Sequence, residues 1–164
     1  LILYTIGAYG FTADTFVEAL RSANVTSLID IRQRRAVRGP LYRFANATAL
    51  ESLIRDNGIA YVPLRTLAPT TEIRSLQRDA DRSGSVAKRS RASLSEFFAA
   101  AYVDVVLGQF SEADLGDLLR IGGDKPSLFC VERRPEACHR SLAAGWIAGR
   151  VGCPVVDLIS LAPF

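Results

Sequence analysis

The chain has 164 residues, 49% hydrophobic and 23% charged, a composition that fits a folded globular domain with a real core and excludes a disordered chain. No apolar run reaches the length of a membrane span, and Cys130, Cys138 and Cys153 are an odd set without framework spacing. A disulfide framework is therefore not expected, free thiols in a reducing, cytoplasmic setting are, and the formal charge of +3 leans modestly toward anionic partners.

Leu1 to Ile6 reads as a first apolar strand with no basic leader ahead of it, and Gly7 to Thr12 as a turn. Thr12 or Asp14 can cap a helix whose apolar positions Phe16, Val17 and Leu20 have helical spacing. Thr26 to Ile31 is a second strand. Asn46 or Thr48 begins a helix through Leu50, Leu53 and Ile54, closed at Asn57-Gly58, and Ile59 to Val62 is a third strand stopped at Pro63. The polar stretch 65–92, with Asp81-Arg82-Ser83-Gly84-Ser85 in its middle, reads as a long basic surface loop. Leu94 to Phe110 and Asp114 to Ile121 are helical, the second closed by Gly122-Gly123. Ser127 to Val131 is a fourth strand, Cys138 to Ala148 a last helix and Pro154 to Ile159 a fifth strand. This alternation predicts one α/β domain, a three-layer α/β/α sandwich with a mostly parallel sheet of about five strands, because right-handed crossovers place helices on both faces.

Ligands of such sheets bind beyond the carboxyl ends of the strands, so the exit residues are the candidates. At the first exit Tyr9 is a candidate pocket residue, while Gly7-x-x-Gly10 lacks the spacing of a dinucleotide fingerprint. At the second, Asp30 ends an apolar strand, where a carboxylate is costly without a partner, and Arg32 shares its face; a structural Asp30–Arg32 pair and a functional carboxylate both remain open. At the fourth, Glu132 is followed by a Pro-containing turn that delivers Cys138, the only histidine, His139, and Arg140 to a helix start. Unpaired backbone N–H groups in a first helical turn favour anions and a thiolate. In the resulting scheme Cys138 is the nucleophile, His139 or Glu132 exchanges a proton, Asp30 orients the reacting group, and Arg32 and Arg140 neutralise negative charge. Cys138 is then expected to be alkylated faster than Cys153, which reads with Trp146 and Tyr4 as core. Tyr61 is ambiguous.

The scheme requires no cofactor. Cys130, Glu132, Cys138 and His139 are all permissible zinc ligands, but adjacent helical residues point about 100° apart, so no metal is assigned. Arg32, Arg34, Arg35, Arg38 and Arg43 form a stretch without an acid, and Tyr42 and Phe44 interleave as candidate stacking platforms. Arg65, Arg74, Arg78, Arg82, Lys88, Arg89 and Arg91 follow in the polar stretch. The expected partner is a nucleic acid or a phosphorylated small molecule, and the expected activity an enzyme acting on a nucleotide or nucleic-acid substrate. The alternatives are a non-catalytic DNA- or RNA-binding protein and a structural interaction module in which these side chains are buried and mutually satisfied.

Thr5-Ile6-Gly7, Leu28-Ile29-Asp30-Ile31-Arg32, Asn57-Gly58-Ile59-Ala60-Tyr61-Val62 and Phe129-Cys130-Val131-Glu132 followed by Cys138-His139-Arg140-Ser141 resemble, in this order, the domain-of-unknown-function family 488. The closing motif is the most specific of these. The resemblance implies a three-layer α/β protein whose motif-bearing edge forms a pocket, and it implies no settled activity. The chain departs from the family pattern in having Gly7-Ala8-Tyr9 where members commonly have Gly-His-Ser, and Gln33-Arg34-Arg35-Ala36-Val37-Arg38 in place of the usual Pro and Ser-Arg pattern. These departures imply a shifted specificity, or binding without the chemistry.

Overall fold

A computed structural model describes residues 1–87 and 90–162. Five strands, β1 (Leu3–Gly7), β2 (Ser27–Asp30), β3 (Ala60–Pro63), β4 (Pro126–Cys130) and β5 (Val155–Leu158), form one sheet in the order β3-β2-β4-β1-β5. Every neighbouring pair is parallel. The helices are α1 (Ala13–Ser22), α2 (Ala47–Asp56), α3 (Thr71–Ser83), α4 (Glu96–Ala101), α5 (Glu112–Gly122) and α6 (His139–Val151). Among the described residues no helix is long and apolar enough to cross a membrane.

The period of two along the strands divides the core into two layers. Tyr4, Ile6, Leu28 and Phe129 face one way and meet Phe16 and Leu20 of α1 and Leu50 and Ile54 of α2. Leu3, Ile29 and Leu128 face the other way and meet α3 to α6 through residues such as Ile73, Phe98, Leu118 and Ile147. The inner strands β1, β2 and β4 are buried on both faces and need apolar residues at nearly every position, which is why they read as continuous runs, while the edge strands β3 and β5 are more exposed. Trp146 and Cys153 are only partly buried at the margin of the second layer.

The stretch expected as a long loop is built differently. It opens with a 3-10 turn, Arg65–Leu67, and then forms the thirteen-residue helix α3, whose Thr70 hydroxyl accepts a hydrogen bond from the Ile73 N–H. Asp81, Arg82 and Ser83 are its last turn, and only Gly84 ends it. Its inner side is made of Ile73 and Gln77, so the apolar periodicity is too thin to separate a helix from a polar loop in sequence. Lys88 and Arg89 lie outside the described residues.

Helix α4 continues into a π-helical segment, Tyr102–Leu107. The wider turn carries Tyr102 into the core, where its hydroxyl donates to the Leu67 carbonyl at 2.7 Å and its ring lies 5.3 Å from that of His139.

Candidate functional site

The connections leaving β2 and β4 position the site. Chain leaving β2 runs to α2 on one face of the sheet, and chain leaving β4 runs to α6 on the other. Adjacent strands whose connections part to opposite faces open a crevice at their carboxyl ends, the topological switch point at which open α/β sheets bind ligands. The same divergence exists between β4 and β1, but there the turn after β1 fills it, with the Ala8 N–H donating to the Cys130 carbonyl at 3.2 Å and the Tyr9 N–H to the Val131 carbonyl at 2.9 Å.

The crevice between β2 and β4 holds a cavity of about 180 Å³. Cys130 from the end of β4, Cys138 and His139 from the start of α6 form its floor; Arg32 and Arg34 come from the β2 exit, and Arg74 and Arg78 from α3. Arg91 and Glu132 complete the charged lining, while Pro69, Leu94, Phe98 and Val131 give it an apolar side. Five arginines thus face one carboxylate. Partial burial, and next the guanidinium groups of Arg34 and Arg78, lower the pKa of Arg74, so three like charges stand close together at the cavity, with Arg34 and Arg78 exposed to solvent. Arg74 donates to Gln33 Oε1 at 2.5 Å, and among the described residues Arg34, Arg74 and Arg78 form no ion pair with a carboxylate. Arg91 is paired with Asp81 and stands 3.7 Å from Glu132.

The floor is a thiol–imidazole cluster. His139 Nδ1 lies 4.0 Å from Cys130 Sγ and 3.9 Å from Cys138 Sγ, and all three residues are buried. His139 Nε2 lies 3.1 Å from the Ile31 carbonyl oxygen. A carbonyl only accepts, so Nε2 carries the hydrogen. Burial pushes the Cys138 thiol up, but its hydrogen bond with Cys130 and the charges of His139 and Arg140 together hold it well below the usual thiol value. The expectation that Cys138 and His139 diverge as neighbours on a helix fails, because Cys138 has extended backbone (φ −140°, ψ 139°) and only His139 begins the helix.

Several expected site residues are placed elsewhere. Asp30 is fully buried and does not line the cavity; its Oδ1 accepts from Arg32 Nε at 2.8 Å, and its Oδ2 accepts from Arg32 Nη2 at 2.7 Å and from the Tyr61 hydroxyl at 2.6 Å. Burial, and then Asp30, raise the Tyr61 phenol to about 12, so it stays a donor. Arg32 also donates to the Ala45 carbonyl at 2.7 Å and lies over the Phe129 ring. Of the two open readings of Asp30, the structural pair is what the geometry shows. Arg140 is fully buried as well, donating to Thr5 Oγ1 (3.1 Å) and to the carbonyls of Glu132 (2.5 Å) and Arg133 (3.1 Å). Its charge reaches Cys138 through the protein, but its donors tie β1 to the turn after β4.

Tyr9, expected in the pocket, is buried 4.9 Å from the Tyr42 ring and outside the cavity. Tyr42 and Phe44 are not exposed stacking platforms: Tyr42 is buried, and Phe44 packs 5.4 Å from the Phe16 ring. Of the four arginines of this stretch beyond Arg32, Arg34 lines the cavity, Arg35 reaches the Tyr61 hydroxyl, and Arg38 and Arg43 lie on the surface. Sequence reasoning weighed Cys130 only as a zinc ligand, and Arg74, Arg78 and Arg91 only as parts of a basic surface loop, without placing any of them in the site. The available signal was the spacing Arg74, Gln77, Arg78, Asp81, one face of a helix that had been read as loop.

The expected order of thiol reactivity also changes. Cys138 is 1% exposed and Cys153 is partly exposed. A bulky maleimide applied briefly to the native, reduced protein is expected to modify Cys153 first, because access outweighs thiolate fraction when the reagent cannot enter the cavity. Mass spectrometry of the labelled peptides checks this, and faster labelling of Cys138 would show that the floor opens.

A parallel α/β/α sandwich with an arginine-lined, thiol-floored cavity at its switch point defines the class. Within that class the chain belongs to the family described as "Domain of unknown function DUF488", whose model matches residues 12–147. The match takes in β2 to β4, the arginine wall and the whole cavity floor, and leaves out β1 and β5. No curated protein and no solved structure matches the chain.

Proposed function

We propose that this protein is an enzyme acting on a small phosphorylated substrate, with mononucleotides as the first class to test, and that the reacting end of the substrate sits against Cys130, Cys138 and His139. The observation that carries the reading is the convergence of Arg34, Arg74 and Arg78 on one cavity without a carboxylate partner. Like charges at the mouth of a crevice repel one another, and a phosphate oxygen accepting from them offsets that repulsion while gaining charge-assisted hydrogen bonds. The size of the cavity favours a small molecule over a strand of nucleic acid, since about 180 Å³ is below the roughly 300–1,000 Å³ typical of drug-sized ligands. The inward-facing Tyr42 and Phe44 remove the aromatic platform on which a single strand would stack. A reducing, cytoplasmic setting belongs to the same reading, because it keeps the floor cysteines as thiols.

Calorimetric titration of the protein with inorganic phosphate and with nucleoside monophosphates at low ionic strength tests this. Arg74→Ala together with Arg78→Ala is expected to weaken binding by about 10-fold or more, given the roughly 1.5–3 kcal/mol of a hydrogen bond to a charged group. The charge-matched pair Arg55→Ala and Arg120→Ala, on exposed helix surfaces, is expected to leave it unchanged. Equal losses in both double variants would reduce the interaction to generic attraction. Binding of an oligonucleotide that survives loss of Arg74 and Arg78 but not of Arg35 and Arg38 would move the partner to nucleic acid.

A further inference from the structure

The cavity floor is more specifically arranged than a thiol nucleophile requires. Three atoms with lone pairs for a soft cation, Cys130 Sγ, Cys138 Sγ and His139 Nδ1, lie within 4.8 Å of one another. They come from three backbone contexts: the last residue of β4, an extended residue at the head of α6 and the first residue of α6. From these the geometry points to a site for a divalent zinc-class metal ion, held by Cys130, Cys138 and His139 with its fourth position open to the arginine-lined cavity.

Four features carry the assignment. Zinc bonds of about 2.3 Å to sulfur and about 2.0 Å to nitrogen place tetrahedral ligand atoms about 3.5–3.8 Å apart. The observed imidazole–sulfur separations of 3.9 and 4.0 Å need to contract by a few tenths of an ångström, and the two sulfurs, within 4.8 Å of each other, by up to about 1 Å, within reach of side-chain rotations. The imidazole is oriented as a ligand: Nε2 donates to the Ile31 carbonyl, which turns the Nδ1 lone pair toward both sulfurs, the outer hydrogen bond that fixes the tautomer of metal-bound histidines. The charge balances, since two thiolates neutralise a divalent ion. Finally, all three ligands line the cavity, so the vacant tetrahedral position faces the space where an anionic group would enter. Two thiolates, one imidazole and an open position make a catalytic type of zinc site, whereas a structural site closes with four protein ligands. The assignment rests on these three residues alone and stands whether or not the arginine wall binds phosphate.

The test uses the full chain, reduced and stripped of metal, titrated with Co²⁺ and then competed with Zn²⁺ in the absence of any phosphate compound. One equivalent of Co²⁺ is expected to bind, with the intense near-ultraviolet absorption of thiolate-to-cobalt charge transfer and the visible bands of a tetrahedral ion, all removed by Zn²⁺. Cys130→Ser, Cys138→Ser and His139→Ala are each expected to weaken binding by about 100-fold or more, while Cys153→Ser leaves it intact. The spectrum of the unmutated protein is decisive even if a variant fails to fold. No charge-transfer band at one equivalent, or a band that persists in folded Cys130→Ser and Cys138→Ser, overturns the site. A Cys130–Cys138 disulfide that forms readily in protein taking up no cobalt overturns it in favour of a redox pair.

Discussion

Asp30→Ala is expected to destabilise the protein by about 3–5 kcal/mol, the loss typical of removing one partner from a buried ion pair. With total stabilities of roughly 5–15 kcal/mol for folded domains, much of the population would unfold under mild denaturant. The size follows from what is left behind. Arg32 is 2% exposed, and without Asp30 three of its hydrogen bonds, including that of its own backbone N–H, have no acceptor. The Tyr61 hydroxyl loses its acceptor as well. The double replacement Asp30→Leu with Arg32→Met is expected to recover most of the loss, because it removes both charges from the low-dielectric interior. Urea unfolding followed by circular dichroism measures both. A cost below about 1 kcal/mol for Asp30→Ala would mean that water reaches the pair, and would return Asp30 to the list of residues available to a substrate.

Gly7→Ala is expected to cost about 3 kcal/mol or more and to deform the cavity floor. A Cβ at this position would lie 1.8 Å from the Glu132 carbonyl oxygen and 2.8 Å from its carbon, which are backbone atoms and cannot swing aside. Gly7 pairs with Cys130 in the sheet, and the same Glu132 carbonyl accepts from Arg140 at 2.5 Å. Pushing β1 from the turn after β4 therefore breaks the Arg140 anchor and moves Cys130. Gly145→Ala is the control: it lies inside α6 with open space at its Cβ position, so it is expected to stabilise by about 0.5–1 kcal/mol. Thermal unfolding of the two variants should shift in opposite directions. A Gly7→Ala protein as stable as the parent would show that β1 and the Glu132 turn are not in contact.

The three inner strands were legible in the sequence because they are buried on both faces, and a double-sided core demands mostly apolar runs such as Leu1 to Ile6 and Ser127 to Val131. The caps at Thr12 and Asn57-Gly58 were legible because their chemistry is local. The closing motif also announced itself, since Cys138, His139 and Arg140 are rare side chains delivered together to a helix start. What those side chains do was not legible. Asp30, Arg32 and Glu132 look alike in sequence, as charged residues at strand exits, and Arg140 as a charged residue at a helix start, yet Asp30 and Arg140 are turned inward and held, while Arg32 and Glu132 border the cavity.

The sequence by itself determined the alternation of strands and helices, the edge of the sheet at which the candidate side chains collect and the modest excess of positive charge. Only the tertiary structure decided the strand order, and with it the crevice between β2 and β4 rather than between β4 and β1. It alone brought Arg74 and Arg78 of α3 over a floor made of residues more than fifty positions away, and set Cys130 beside His139. The physical reason is that burial patterns and caps are written in neighbouring residues, whereas convergence of charges and ligand atoms depends on which strands pair. That pairing is fixed by packing summed over the whole sheet.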